Sequence, residues 1–384
     1  MVILLSFSLD KKIFKSDYLN KKPFLFKHAI DSSCFSWKDI NEVYSRSNIS
    51  ERTFKIMNGY EVPKHEYIES YDNLGVTEYR CITSVLYKYL RDGATLVRNR
   101  IENEPFIDQV SKQIASFSEA RTITNSYAAI SSKSSYKSHW DTRDVYAVQL
   151  LGSKRWILKA PNFEFPLYMQ QTKDFLDIKE PEEVYMDIVL EAGDILYIPR
   201  GWWHDPLPLG NETFHLAVAT FPPTGFEYIL WLQNVMPNIL SCRKNISSFE
   251  EDKEIIDDLS YQVAEVIKNE SHYKSFMKYY LSEQSSPSMF SLDILGNSKI
   301  NQLNLDQRLY LNTNQIYCFD EGFVIINGVK INVDHISLTL LKYLFHNPYS
   351  CVNDILNQFN NHSSEKIKDL LFHLATENVI GLEL

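Results

Sequence analysis

The sequence has few cysteines, and none of them forms a recognisable pair. Five cysteines are scattered through 384 residues, without a Cys-X-X-Cys pair and without the spacing of a zinc site. They are Cys34, Cys81, Cys242, Cys318 and Cys351. This pattern argues against a disulfide framework and a structural zinc site, and it favours reduced thiols in a cytoplasmic protein.

Long apolar runs are also missing. Residues 1–7 are apolar, but Asp10-Lys11-Lys12 follows at once, and no small-residue cleavage site is present. No run approaches the roughly 20 apolar residues that cross a bilayer as a helix. We therefore expect a soluble protein without a secretory signal.

Positive charge is in deficit, because 39 lysines and arginines stand against 49 aspartates and glutamates. A net charge of -10 suits a basic partner better than nucleic acid. Apolar residues are plentiful, at 44% of the chain with 13% aromatic. The length allows two or three domains, and the composition allows a sizeable core.

Three side chains have the types and the spacing of a metal site. His139 and Asp141 lie two positions apart, so on an extended strand they point to the same side. His204 comes much later and must return to them across a sheet. Two imidazoles and one carboxylate leave coordination positions open, which suits iron(II) and dioxygen better than a closed zinc site. The pattern predicts His139, Asp141 and His204 as metal ligands and as the catalytic centre.

The segment around these residues has the pattern of antiparallel β-structure, with its core at about 122–221. Short apolar runs alternate with turns such as Gly152-Ser153, and Pro222-Pro223 ends the last run because proline cannot donate to a ladder. The predicted strands are Val145–Leu150, Trp156–Leu158, Asp187–Leu190, Ile195–Ile198 and His215–Phe221. A sandwich or barrel of such strands would bring His204 back to His139.

Several phrases around the metal pattern occur together in a known family. They are Gly93–Val97, Asn125-X-Tyr127, His139-X-Asp141, Gln149-Leu150-X-Gly152-X-Lys154-X-Trp156 and Gly193-Asp194-X-Leu196-Tyr197-X-Pro199-Arg200-Gly201-X-X-His204. With them the chain resembles the JmjC-type, cupin-like 2-oxoglutarate oxygenases. Within these it resembles the ribosomal oxygenases, which hydroxylate arginine or histidine side chains of ribosomal proteins.

The resemblance implies a fold, a set of cofactors and several site residues. It implies a double-stranded β-helix that uses Fe(2+), 2-oxoglutarate and O2. Lys154 would bind the far carboxylate of 2-oxoglutarate, since an ammonium and a carboxylate form a charge-assisted bond. Asn125 and Tyr127 would line the same pocket. His215 would lie near the cosubstrate and position it, without binding the metal.

Two positions depart from the family pattern. Relatives often carry serine or threonine two residues beyond the histidine that His215 matches, where this chain has Ala217. The loop Ser131–Ser135 replaces a stretch that is rich in glycine and proline in many relatives. We expect one fewer hydrogen bond to the cosubstrate and a different lid over the metal.

We expect an α+β protein with three domains. Residues 1–232 would form the JmjC catalytic domain, residues 233–304 a helical domain, and residues 305–384 a winged-helix-like domain. Apolar residues at helical spacing in 255–267 predict an amphipathic helix that either mediates a homodimer, as in relatives, or packs on its own barrel. The last domain holds five basic against nine acidic residues, so we expect a scaffold and no nucleic-acid contact.

The resemblance predicts a 2-oxoglutarate-dependent dioxygenase that hydroxylates a side chain in a protein or peptide, with a basic ribosomal protein favoured. The alternatives are a tailoring hydroxylase of a ribosomally made peptide or amino-acid derivative, a non-catalytic cupin-fold binding protein, and a cupin isomerase or sugar-binding cupin. Four side chains near the metal pattern either line the entrance or pack in the core: Tyr136, Trp140, Arg143 and Trp203.

Overall fold

The computed structural model describes residues 5–131, 133–284, 290–295 and 303–383. The chain forms two compact units, Met1–Phe221 and Pro222–Leu384. The boundary between them lies near the predicted end of the catalytic domain. That the second unit holds two separate domains stays a prediction.

The first unit combines five helices and thirteen strands among its described residues. The helices are α1 (Lys11–Asp17), α2 (Trp37–Ser45), α3 (Lys64–Tyr67), α4 (Thr83–Arg91) and α5 (Pro105–Ser118). The strands before the metal pattern are β1 (Phe24–Phe26), β2 (Phe54–Met57), β3 (Ile68–Asn73), β4 (Val76–Cys81), β5 (Thr95–Arg98) and β6 (Arg121–Ala129). The remaining strands are β7 (His139–Trp140), β8 (Val145–Leu151), β9 (Ser153–Lys159), β10 (Met186–Glu191), β11 (Ile195–Ile198), β12 (Trp203–Pro208) and β13 (Thr213–Phe221).

Eleven of these strands form two antiparallel sheets. The larger sheet has the order β1-β11-β8-β13-β6-β5-β2, and the smaller has the order β10-β9-β12-β7. Consecutive strands such as β8 and β9 therefore lie in different sheets, which is the winding of a double-stranded β-helix. The predicted cupin-like core is confirmed. The larger sheet extends beyond the predicted core, since β1, β2 and β5 come from before residue 122.

Strand β8 shows why the sequence folds this way. It lies between β11 and β13 and is buried along nearly its whole length, which explains its almost continuous apolar run. Tyr146, Val148 and Leu150 face the core cluster that also contains residues of α5, and Ala147 packs on the opposite side with Trp156 and Leu196.

The chain crosses from one sheet to the other at Gly152. Its φ is +68°, and a Cβ at this position would lie 2.0 Å from the carbonyl oxygen of Glu212. Only glycine tolerates both the conformation and the close approach. The tight crossing starts β9 immediately, and this places Lys154 and Trp156 on the inner face of the smaller sheet.

The second unit contains helices α6 (Gly225–Leu232), α7 (Lys253–Lys268) and α8 (Glu270–Ser282), followed by short strands and three further helices. The strands are β14 (Arg308–Leu311), β15 (Cys318–Phe319), β16 (Phe323–Ile326), β17 (Val329–Asn332), β18 (Ser350–Cys351) and β19 (Ile380–Leu382). The helices are α9 (His335–His346), α10 (Val352–Gln358) and α11 (Ser364–Thr376). The predicted hairpin turn at Asn327-Gly328 joins β16 and β17.

Two further expectations concern thiols and loops. Cys81, Cys242, Cys318 and Cys351 are free thiols, and the side chain of Cys34 lies outside the described residues. The composition of the serine-rich stretch 282–298 predicts a linker or loop, and this stretch lies partly outside the described residues. Ser132 in the predicted lid also lies outside them. Among the described residues no helix combines the length and apolarity of a membrane span.

Candidate active site

The two sheets of the first unit enclose a cavity of about 580 Å³, counted with the space at its mouth. Six of the seven side chains predicted from the sequence line it: Tyr127, His139, Asp141, Lys154, His204 and His215. Asn125 is not among the lining residues. Its carboxamide oxygen accepts a hydrogen bond from the backbone N–H of Arg100 at 3.0 Å, and its side chain also contacts Tyr127, which lines the cavity. A direct role of Asn125 in the pocket stays a prediction.

The predicted metal ligands converge because β7 and β12 are paired. His139 and His204 stand directly opposite each other in this ladder. Asp141 lies between them, with its carboxylate oxygens 3.9 Å from Nε2 of His139 and 3.5 Å from Nε2 of His204. One ligand atom from each of the three residues lies within 4.8 Å of the others. Within the described residues this is the one cluster of its kind.

The hydrogen bonds of the two imidazoles fit metal binding. Nδ1 of His139 lies 2.8 Å from the carbonyl oxygen of Lys137, and Nδ1 of His204 lies 3.1 Å from that of Trp202. Because a carbonyl only accepts, each Nδ1 carries the proton and each Nε2 keeps a lone pair directed at Asp141. Burial and the neighbouring His139 lower the pKa of His204 to about 4, so its ring is neutral at neutral pH.

The spacing of the three ligand atoms also fits one ion. Two neighbouring ligands at ~2.1 Å from an octahedral ion stand ~3 Å apart, so small side-chain rotations would close the set. His139, Asp141 and His204 would hold the metal and leave coordination positions open toward the cavity.

A buried lysine occupies the other end of the cavity. Lys154 on β9 is only 3% exposed, and its Nζ lies 3.4 Å from Nδ1 of His215. Burial lowers the pKa of Lys154 to about 7, and no carboxylate of the described residues contributes to this shift. A buried cation without a counter-ion is unfavourable, so this end of the cavity is suited to an anionic ligand.

His215 belongs to the lysine end of the cavity. Its ring stacks on Tyr127 with centroids 4.9 Å apart, and it meets the ring of Trp156 edge-on at 5.5 Å. Burial and the neighbouring Lys154 lower the pKa of His215 well below its usual value. The neutral ring thus contacts both Lys154 and Tyr127, and its positioning role stays a prediction.

The four side chains with open roles divide into two groups. Tyr136 lines the cavity, with its ring 6.2 Å from that of His139. Trp140 and Trp203 pack on each other at 4.8 Å outside it, and Arg143 lies over the ring of Phe221. Alternation along β7 and β12 explains this result, because neighbours of inward ligands point outward.

Two polar residues that line the cavity were not predicted from the sequence. Thr95 and Ser135 are buried, line the cavity and share a hydrogen bond between their hydroxyls. Thr95 lies within the phrase Gly93–Val97, so its position carried a signal. Ser135 lies in the variable loop, and no local pattern marks it as inward-facing.

The fold and the site define a cupin-like β-barrel with a two-histidine, one-carboxylate cluster at its open end and a lysine at its closed end. Residues 96–228 match the family model of the JmjC domain. The resemblance predicted from the sequence is thereby confirmed for this part of the chain.

Curated relatives are similar over part of the chain. The NO66 protein of Drosophila persimilis, described as a bifunctional lysine-specific demethylase and histidyl-hydroxylase, is 22% identical over 59% of this chain and 32% of its own length. The protein of the same description from Dictyostelium discoideum is 26% identical over 38% of this chain and 28% of its own length. The chain thus spans about a third of the length of these curated relatives.

Solved structures show the fold. The X-ray structure of E. coli ycfD superposes with a TM-score of 0.60 at 17% identity, covering 100% of both chains. A structure of YcfD described as a ribosomal oxygenase from Escherichia coli, in complex with cobalt and 2-oxoglutarate, gives a TM-score of 0.58 at 17% identity and the same coverage. At this identity the likeness is evidence for the fold alone.

Proposed function

We propose that the protein is an Fe(2+)- and 2-oxoglutarate-dependent dioxygenase that hydroxylates an amino-acid side chain in a protein or peptide. The observation that carries the proposal is the pairing of two features in one cavity. A three-ligand cluster with open positions lies at one end, and Lys154 lies at the other without a carboxylate partner among the described residues. In a metal-binding cupin that binds no dicarboxylate, a buried lysine opposite the metal would be destabilising and would have no ligand to bind.

The relatives support the same activity. One is described as a histidyl-hydroxylase, and a neighbour in fold is described as a ribosomal oxygenase in complex with 2-oxoglutarate. Bound iron(II) would supply oxidative chemistry, in which 2-oxoglutarate and O2 give succinate and CO2 while a substrate carbon gains a hydroxyl group.

The residues of this chain would do the binding and positioning. His139, Asp141 and His204 would hold the metal through their free Nε2 and carboxylate atoms. Lys154 would bind the far carboxylate of 2-oxoglutarate through a charge-assisted hydrogen bond, with His215 and Tyr127 fixing its direction. Tyr136, next to His139, would face the substrate side chain at the open end.

The test measures succinate formed from 2-oxoglutarate by protein loaded anaerobically with iron(II) and then given oxygen. Wild type is compared with His139→Ala and Lys154→Ala, with and without a peptide extract. We expect turnover that depends on iron and collapses in both variants. Intact, metal-loaded protein without turnover under any of these conditions would contradict the proposal and favour a non-catalytic or isomerase cupin.

Four finer features belong to the same proposal. The net charge of -10 favours a basic substrate such as a ribosomal protein. The cysteine pattern favours the cytoplasm. Helix α7 buries none of its residues fully, although it carries apolar residues at helical spacing, and this favours a homodimer through the helical segment. The order of β14, α9, α10, α11 and β19 favours a winged-helix-like module that acts as a scaffold.

A further inference from the structure

One buried polar group in the cavity has no role so far. Seven buried side-chain polar atoms of the described residues lack a hydrogen-bond partner. One of them is the indole N–H of Trp156, and it alone belongs to a residue that lines the cavity. Trp156 is 3% exposed, so solvent outside the cavity offers little compensation.

Two other buried tryptophans of the same unit do have partners. The indole N–H of Trp140 donates to the carbonyl oxygen of Gln170 at 3.0 Å, and that of Trp203 donates to Oδ1 of Asn162 at 2.9 Å. Indole nitrogen only donates, and a buried donor without an acceptor is unfavourable. The group on Trp156 therefore needs an acceptor that the described residues do not supply.

The position of Trp156 indicates which acceptor this is. Trp156 and Lys154 are two residues apart on β9, so both point into the barrel. The ring of Trp156 lies 5.5 Å from that of His215, which in turn contacts Nζ of Lys154, and 6.0 Å from that of the predicted metal ligand His204. The indole thus lies between the lysine and the metal cluster, where a ligand held at both ends would pass.

We propose that the indole N–H of Trp156 donates a hydrogen bond to the carboxylate that Lys154 binds. The ligand is a dicarboxylate whose other end reaches the metal cluster, and the inference therefore rests on the proposed function. A carboxylate accepts several hydrogen bonds, so Lys154 and Trp156 can serve one group together. Trp156 is then a binding residue, and its N–H adds direction to the charge of Lys154.

The first test observes the group directly. Six tryptophans give six indole N–H signals in a ¹⁵N-indole NMR spectrum, and Trp156→Phe identifies one by deleting it. The zinc-loaded protein is titrated with 2-oxoglutarate, with succinate, and with pyruvate, which lacks the far carboxylate. We expect the Trp156 signal to move to lower field with the two dicarboxylates and to stay in place with pyruvate. A signal that stays in place with bound 2-oxoglutarate, or that moves with pyruvate, would overturn the inference.

The second test measures affinity without turnover. Calorimetry of the zinc-loaded protein gives the Kd of 2-oxoglutarate for wild type, Trp156→Phe and the matched control Trp203→Phe, which removes an indole N–H bonded to Asn162 outside the cavity. We expect the Kd to rise about tenfold or more in Trp156→Phe, as for a hydrogen bond to a charged group, and to stay within about twofold in the control.

The two proposals fail in different ways. If wild type does not bind 2-oxoglutarate, the proposed function itself is contradicted. If wild type binds it and Trp156→Phe binds it equally well, the role of Trp156 is contradicted and the proposed function stands.

Discussion

The two ends of the cavity differ in their access to solvent. At the metal end the side chains of His139 and Asp141 are 31% and 42% exposed. At the lysine end Lys154 and His215 are each only 3% exposed. The open end can admit a macromolecular substrate and dioxygen, whereas the closed end fits a small ligand that enters through the cavity.

The difference also decides what each end requires from its residues. At the open end water can solvate the carboxylate of Asp141 until a metal binds. At the closed end the ammonium of Lys154 has no such compensation, and its pKa falls to about 7. The closed end therefore favours binding of an anionic ligand, because the buried ammonium of Lys154 destabilises the protein when no such ligand is bound.

The largest effect is expected at the open end, from Asp141→Ala. Loss of the carboxylate removes the one anionic ligand of the cluster and should weaken metal binding by more than the ~10- to 100-fold typical of lost outer-shell partners. Metal titration followed by calorimetry measures this change. Asp187→Ala is the control, because Asp187 forms an exposed ion pair with Arg155 outside the cavity. Equal metal affinity in the two variants would show that Asp141 is not a metal ligand.

The next effect is expected at the closed end, from Lys154→Met. The Kd of 2-oxoglutarate should rise by about 30-fold to several thousandfold, as for loss of one partner of a buried charged pair. The unliganded variant should be as stable as wild type or more so, because the buried ammonium is gone. Calorimetry and urea denaturation measure both quantities.

Lys159→Met is the matched control for this variant. Lys159 also lies on β9, but it pairs with Glu180 outside the cavity at 2.9 Å. Its replacement should leave the Kd of 2-oxoglutarate unchanged. A Lys154→Met protein that keeps wild-type affinity would show that the closed end does not hold the carboxylate.

The sequence allowed the metal end to be predicted more fully than the closed end. His139 and Asp141 are neighbours on one strand face, and β-structure brings His204 to them by simple pairing. Six of the predicted residues line the cavity, and predicted strands such as Ile195–Ile198 agree with the structure. Short-range alternation and the family phrases carried this information.

The features that were not predicted from the sequence depend on contacts between residues distant in the chain. Asn125 lies in a matching phrase, and the backbone N–H of Arg100 donates a hydrogen bond to its carboxamide oxygen. No local pattern in the sequence predicts that contact. The hairpin of β3 and β4 was not predicted, because its strands are exposed on both faces and lack apolar alternation. Trp156 belongs to a phrase shared with the family, but the sequence indicates no role for it, because only the structure shows that its N–H lacks a partner.

The affinity for 2-oxoglutarate should depend on pH through the protonation of Lys154 at the closed end. Only the ammonium form of Lys154 attracts a carboxylate, so the affinity for 2-oxoglutarate should fall by up to about tenfold per pH unit above pH 7. Lys154→Arg stays charged and should show no such decline. A wild-type affinity that is constant from pH 6 to 9 would contradict the low pKa.

The same pKa predicts an opposite trend for stability. Between pH 7 and 10.5 the unfolded chain holds a proton on Lys154 that the folded, unliganded protein has released. The free energy of unfolding should therefore rise with pH across this window. Denaturation of wild type and Lys154→Met at several pH values isolates the contribution, which should be absent from the variant.

The smallest effect is expected from Ala217→Ser, which adds a hydroxyl to the cavity. Ala217 lies two residues after His215 on β13 and lines the cavity, at the position where relatives often carry serine or threonine. A neutral hydrogen bond to the cosubstrate should lower the Kd of 2-oxoglutarate about two- to tenfold. Ala219→Ser, one step further along the same face and outside the lining residues, should change nothing. If Ala217→Ser weakens binding, the donors already present at the closed end satisfy the carboxylate, and the added hydroxyl only competes for space with Lys154 and Trp156.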